Sequence, residues 1–291
     1  YGSLTRYPAT VSIESSRILS SSQPGSADYG VYADDGQVII SDTLFANNGD
    51  EATDYAVAVH YWDARVSLVN NTFQNNRGYP VYFYSAGSLQ QLGGNTFSGN
   101  DFNRVVINGG ALNQNLTLAS GNGLEAYEIG GLNVPAGVTL TLQPGTVMMG
   151  RDSATLQVVG HLEAHGTPTQ PITFTSSADS APGQWGGLVF GDGYDNGSGS
   201  LKHVTVRYAG GDNNPYQPQS AIYVNSSNVV HIESSRILSS SWPGSADYGL
   251  YANDGQIVIS DTLFAGNGDE SADYAVFIHY WDARVSLVNN T

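Results

Sequence analysis

A stretch of 62 residues occurs twice in this chain. Val11 to Thr72 returns as Val230 to Thr291 at a constant offset of 219, with 51 identities and mostly mild exchanges such as Val38 to Ile257, Ile39 to Val258 and Val59 to Ile278. A period that long can hold several structural turns, and a shorter period lies inside it. The alternating pairs Val11-x-Ile13, Val38-x-Ile40 and Val66-x-Leu68 are each followed, five residues after the second member, by a large apolar residue: Ile18, Phe45 and Phe73. A weaker fourth member runs from Leu92 to Phe97, so the anchors are spaced 27, 28 and 24 residues apart. Three residues beyond each anchor stand Ser21, Asn48, Asn76 and Asn100. A further short strand precedes each pair, in Gly30-Val31-Tyr32, Ala58-Val59-His60, Pro80-Val81-Tyr82 and Ala221-Ile222-Tyr223.

Short alternating strands, polar turns and a repeat of about 22–29 residues predict an all-β solenoid, a parallel β-helix whose coils share one core. Period-2 alternation places Val31 and Ala33 inside and Tyr32 outside. The Asn at a fixed coil position either stacks its amide on the next coil or supplies the left-handed backbone of a turn. With 35 glycines, 12% charged and 40% hydrophobic residues, the composition is that of a turn-rich β protein rather than a disordered one. Cysteine is absent, so no disulfide can be expected. A net charge of −16 argues against nucleic acid and anionic membranes as partners, and no apolar run reaches the roughly 18–20 residues of a membrane helix. The chain runs from Tyr1 to Thr291, where the first copy goes on into Phe73. It is therefore expected to be a window on a longer or processed chain, continuing with a Phe and an Asn-rich turn.

Residues 1–105 read as the closing coils of one module, 106–131 as an irregular Gly- and Asn-rich junction, and 132–291 as the opening coils of the next. In 132–210 the expected strands are Val138 to Leu142, Thr155 to Val159, Ile172 to Thr175 and Gly187 to Phe190, with turns at Pro135-Ala-Gly137 and Pro144-Gly145. The run VPAGVTLTLQPGTVMMG, then LQVVGHLEAHGTPTQPITFTSS, QWGGLVF and LKHVTVRYAGG, resembles right-handed parallel β-helix modules of large secreted or surface-anchored bacterial proteins, with the pectate-lyase-like fold. The resemblance covers most of 132–291 and, through the repeat, 11–105. It implies the right hand of the helix and an extracellular or cell-surface location. The fold hosts lyases, hydrolases, adhesins and fibres, so it does not choose among functions.

Three functions follow as expectations. The first is a structural or adhesive repeat segment of a fibre or stalk, meeting itself, a neighbouring module or a polysaccharide. The others are a carbohydrate-active enzyme, a lyase or hydrolase, and a non-catalytic sugar-binding module. The exposed face expected to carry the contact is aromatic: Tyr32, His60, Tyr61, Trp62 and Tyr82, with Tyr223, Tyr251, His279, Tyr280 and Trp281 in the second copy. The same rings could instead only stabilise the sheet. Asp35 with Asp63, repeated as Asp254 with Asp282, should be neighbours on successive coils about 4.8 Å apart. Such pairs could bind Ca²⁺, act on a glycoside, or be neutralised by Arg65 and Arg284. The family's lyases combine Ca²⁺-binding carboxylates with an Arg or Lys base, a role the resemblance would give to Arg65. Two acidic turns, Asp50, Glu51 and Asp54 with their copies Asp269, Glu270 and Asp273, and Asp192 with Asp195, are weaker Ca²⁺ candidates or solvated loops. His161, Glu163 and His165 share one strand face and could hold a transition metal. Sequons at Asn70, Asn115, Asn196, Asn225 and Asn289 permit glycosylation in a host that performs it.

Overall fold

The computed structural model describes residues 9–61, 63–211, 218–244, 246–280 and 282–291. Trp62 and Trp281 fall outside them. The chain divides into two units, one of residues 1–108 with 121–125, the other of 109–120 with 126–291. The division falls inside the stretch 106–131, which holds regular strands of its own, Leu116–Leu118 and Ala126–Ile129.

In the first unit three parallel sheets run along the coils. One stacks Thr10–Glu14, Gln37–Ser41, Arg65–Val69 and Leu89–Gly93; the second stacks Arg17–Leu19, Leu44–Ala46, Thr72–Gln74 and Thr96–Ser98. The third contains Tyr29–Ala33, Tyr55–Val59, Tyr79–Phe83 and Arg104–Ile107. The alternating pairs read from the sequence find their partners: Val11 on Val38, Val38 on Val66, and Leu68 on Leu92. The anchors form a column, with Phe45 and Phe73 stacked at 5.0 Å, Phe73 and Phe97 at 5.3 Å, and Phe45 and Phe73 fully buried. A coil alone would leave these rings wet; stacking buries them on both faces.

Of the two readings of the turn Asn, the stacked amide is the one found. Asn48, Asn76 and Asn100 are buried and make an amide ladder: Asn48 Nδ2 donates to Asn76 Oδ1 and Asn76 Nδ2 to Asn100 Oδ1, each at 2.9 Å. The left-handed backbone belongs to the residue before, at Ser20, Asn47 and Asn75. In the second copy that position is Gly266 (φ +64), the exchange expected where the backbone rather than the side chain is needed. A second ladder that the spacing did not flag runs through Thr43, Asn71 and Asn95, with Asn71 Nδ2 donating to Asn95 Oδ1 at 3.1 Å.

The second unit uses the same device. The strands Thr139–Leu142, Thr155–Val158, Ile172–Ser176 and Gly187–Phe190 lie where the alternation put them. Two strands are longer than expected, Gln219–Glu233 and Asp247–Ser260. Each bends through a register shift or turn and serves two adjoining strand stacks, where the first copy breaks into the separate strands Tyr29–Ala33 and Gln37–Ser41. Trp185 is buried, its Nε1 donating to Arg207 O (2.8 Å) and its ring lying against Gly150, where a Cβ would approach within 2.7 Å.

Candidate functional site

The aromatic residues come from outward positions of the strands Tyr29–Ala33, Tyr55–Val59 and Tyr79–Phe83. Their register is Tyr29 on Tyr55 on Tyr79, Val31 on Val57 on Val81, and Tyr32 on Ala58 on Tyr82. Val57, not Val59, therefore pairs with Val31, and His60 is two residues further on than the sequence suggested. Tyr82 does not stack on His60; its ring lies 4.7 Å from Tyr55, over the space that Ala58 leaves. A ridge of exposed rings forms all the same. His60 sits between Tyr32 (5.6 Å) and Tyr84 (5.5 Å), with Tyr61 edge-on to it at 4.8 Å. Tyr32, Tyr61 and Tyr84 are 45%, 50% and 52% exposed. Tyr84 was not anticipated, because it follows the strand Tyr79–Phe83 instead of lying within it. Asp34 lies beside the ridge, 3.7 Å from His60 Nδ1; burial chiefly, with the Asp34 charge, raises the Tyr32 hydroxyl pKa.

In the second copy the expected exposure is not found for Tyr223 and Tyr251. Each is only 7% exposed. The outward row there is Val189, Tyr223, Tyr251 and Phe277, and Phe277 occupies the place that Ala58 has in the first copy. Its ring packs on Tyr251 (5.3 Å), Tyr248 (5.1 Å) and Tyr274 (5.3 Å) and closes the row. Burial pushes the Tyr251 hydroxyl up to about 12. His279 and Tyr280 stay at the surface, in edge contact at 4.2 Å.

Asp35 and Asp63 stand two residues before the paired Gln37 and Arg65, as Asp254 and Asp282 do before Gln256 and Arg284. Asp35 Oδ1 accepts from Gly36 N, and Asp254 Oδ1 from Gly255 N, each at 2.6 Å, so these carboxylates serve their own turns. Among the described residues neither pair joins a cluster of three ligand-bearing side chains. The clusters that exist are elsewhere: Asp28, Asp50 and Asp54, and their copies Asp247, Asp269 and Asp273, each set with ligand atoms within 4.8 Å of one another. Asp28 and Asp247 were missed because they lie on the neighbouring coil. Asp54 is fully buried and accepts from Asp28 N (3.0 Å), Asp50 N (2.8 Å) and Glu51 N (2.7 Å). In the copy, burial first, then Asp273, Asp269 and Glu270, push Asp247 up to about 7 against the lowering effect of Trp242 N.

The remaining candidates have local duties. Asp192 Oδ1 caps the amides of Tyr194 (2.8 Å) and Asp195 (2.6 Å), which holds its carboxyl below the ordinary value. His161 and His165 do share a face with Glu163, but each also uses a ring nitrogen on a serine, Ser198 (2.8 Å) and Ser200 (2.7 Å). Arg65 Nη1 donates to Ala64 O (3.0 Å). Asn70 and Asn115 are exposed; Asn196 is exposed with Oδ1 accepting from Ser227 N (2.7 Å); Asn225 is half-buried and receives Asn253 Nδ2 (3.1 Å). A cleft of about 420 Å³ that the sequence did not announce is lined by His203, Thr205, Arg207, Ser234 and Arg236 among others. Arg207 is engaged there by Asp179, with Nε to Oδ1 at 2.8 Å. No helix among the described residues is long and apolar enough to cross a membrane.

Two family models match the chain. Residues 1–123 match the right-handed β-helix region, and residues 110–196 match the pectate-lyase-like β-helix domain. Neither a curated protein nor a solved structure matches it.

Proposed function

Since the chain is a right-handed parallel β-helix with a pectate-lyase-like segment, we propose that it is a structural, adhesive repeat segment of an extracellular or cell-surface fibre or stalk. Its contact surface in this reading is the Tyr32–His60–Tyr84 ridge, and the occupant is an uncharged glycan. The observation that carries the reading is the half-exposure of Tyr32, on the parallel sheet, and of Tyr61 and Tyr84, in the turns that follow its strands. Rings held at fixed spacing present apolar faces at little entropic cost, and tyrosine adds a hydroxyl that wants a polar partner. Asp34 supplies an acceptor beside them. A net charge of −16 makes packing one acidic copy on another costly and repels acidic polysaccharides, which favours a neutral ligand.

The test is affinity electrophoresis of the chain through gels containing neutral polysaccharides, beside Tyr61→Ala and Tyr84→Ala. Retardation by at least one polymer that both substitutions abolish is the expected result. Sedimentation velocity on the same proteins covers the competing occupant. Concentration-dependent association that the substitutions remove, without retardation, would reassign the ridge to contact between copies. New reducing ends released from a polysaccharide would overturn the structural reading in favour of an enzyme.

A further inference from the structure

The turn that closes the coil before Tyr248 holds an oxygen with nothing to bond. Asp247 is fully buried. Its Oδ2 accepts from Trp242 N at 2.9 Å, but its Oδ1 meets no donor. A buried carboxylate oxygen without a donor is a costly arrangement, and such groups are normally paired with a hydrogen bond, a cation or a metal. The charged groups acting on Asp247 are Asp273, Asp269 and Glu270, all of its own sign. Asp273 is itself oriented from behind, its Oδ1 receiving Asp247 N at 2.9 Å and its Oδ2 receiving Glu270 N. Backbone amides thus hold two carboxylates beside a third, the exposed Asp269.

We propose that Asp247, Asp269 and Asp273 form a Ca²⁺ site that ties two successive coils together. Their ligand atoms lie within 4.8 Å of one another. Oxygens that share one Ca²⁺ at 2.3–2.6 Å are at most about 5 Å apart, which this spacing satisfies. Hard oxygen donors on an irregular turn, with one exposed carboxylate leaving room for water, suit this ion. The ion would give Asp247 Oδ1 its missing partner and neutralise the repulsion. Asp247 and Asp273 belong to different strands, Asp247–Ser260 and the turn before Tyr274–Ile278, so the ion would clamp one coil to the next. The homologous Asp28 of the first copy accepts the same backbone bond, from Gln23 N to Oδ2, but is only half-buried, so the claim is made for the second turn.

Trp242 gives the site its own reporter, because the first copy has Gln23 at the same position. Tb³⁺ added to the full chain should emit when the indole is excited, and Ca²⁺ should displace it. Asp269→Asn should weaken Ca²⁺ competition at least tenfold; it alters an exposed side chain and leaves the buried turn intact. Asp247→Asn should do the same, while Asp50→Asn in the first copy should leave the signal unchanged. Millimolar Ca²⁺ should also raise Tm in the parent and not in Asp269→Asn. Absence of both sensitised emission and a Ca²⁺-dependent Tm shift would overturn the proposal, leaving Asp247 as a neutral acid. Binding that survives unchanged in Asp269→Asn and Asp247→Asn would equally overturn it, by placing the ion elsewhere.

Discussion

Replacing Asn76 by Ala should be among the most damaging single changes in the first unit, and the neighbouring Asn75 gives the control. Asn76 is buried and uses both ends of its amide. Nδ2 donates to Phe45 O (3.1 Å) and Asn100 Oδ1 (2.9 Å); Oδ1 accepts from Asn48 N (3.0 Å) and Asn48 Nδ2 (2.9 Å). After truncation Asn100 Oδ1 keeps the backbone N–H of residue 76, and Asn48 Nδ2 keeps Ile18 O. Phe45 O keeps the ladder bond that the parallel register gives it, but Asn48 N keeps nothing in exchange, in a place water does not reach. One orphaned buried backbone N–H costs about 1–3 kcal/mol, and with the three other lost amide bonds the change amounts to about 3–5 kcal/mol. Asn75 differs: it is exposed with φ +54, and Asn75→Ala costs only the left-handed penalty of about 1–2 kcal/mol, while Asn75→Gly should be neutral or slightly stabilising. Urea unfolding monitored by far-UV circular dichroism measures all three, compared at equal slope because a stack of coils can lose cooperativity. The reasoning fails if Asn76→Ala costs no more than Asn75→Ala, which would mean that the ladder amides are not energetically coupled from coil to coil.

Phe73→Ala should cost about 3–5 kcal/mol by the same assay, since its ring is fully buried between Phe45 and Phe97. Arg151→Met should cost about 1–3 kcal/mol in thermal melts, because it removes the bond from Arg151 Nε to Oε1 of the buried Glu128 at 2.7 Å, and an unchanged Tm would refute this. Tyr127 donates its hydroxyl to Ala119 O (2.8 Å), and burial pushes its pKa up to about 12. Its folded pKa is above the unfolded value near 10, so the associated stability, about 2.7 kcal/mol, is present below pH 10 and lost between about pH 10 and 12. Absorbance at 295 nm should show late-ionising tyrosines, Tyr127 and Tyr251 among them, and Tyr127→Phe should remove one of these and flatten the stability loss over that window.

The fold was legible because its signal repeats at every coil: an inward pair, an anchor five residues on, a ladder residue three beyond that. The register of the aromatic strand was not. Tyr55–Val59 reads Tyr-Ala-Val-Ala-Val, and Val57 and Val59 are both buried. A slip of two residues returns every side chain to the same face, so alternation cannot tell which valine sits on Val31. Seven residues back from Val38 stands Val31, and seven back from Val66 stands Val59; the structure pairs Val31 with Val57, nine residues before Val66. Exposure was illegible for a different reason. Tyr251 faces outward as alternation requires, yet what covers it is Phe277 from the next coil, a property of a neighbour rather than of its own strand.

That neighbour also shows how the two copies have diverged. Exchanges at inward positions keep the chemistry and nearly the volume, as in Val31 to Leu250, Val38 to Ile257 and Val59 to Ile278. Those that change chemistry lie at outward strand positions or in turns: Gln23 to Trp242, Asp34 to Asn253, Asn47 to Gly266 and Ala58 to Phe277. A shared core tolerates only volume-conserving swaps, because an inward residue touches the same position of the coils above and below. The outer positions answer to no such constraint. Asp34 leaves His60 an ionic neighbour at 3.7 Å, while Asn253 hydrogen-bonds His279 Nδ1 at 3.0 Å and joins Asn225 on the next coil. Ala58 pairs with Tyr82, which leans on Tyr55, while Phe277 covers Tyr251, itself packed on Tyr223. Near-identical coils thus present an open aromatic ridge in one copy and a closed one in the other. Installing Ala58→Phe should test whether that single position sets the difference: Tyr32 should become less accessible to chemical nitration, and unchanged labelling would place the cause in the surrounding exchanges.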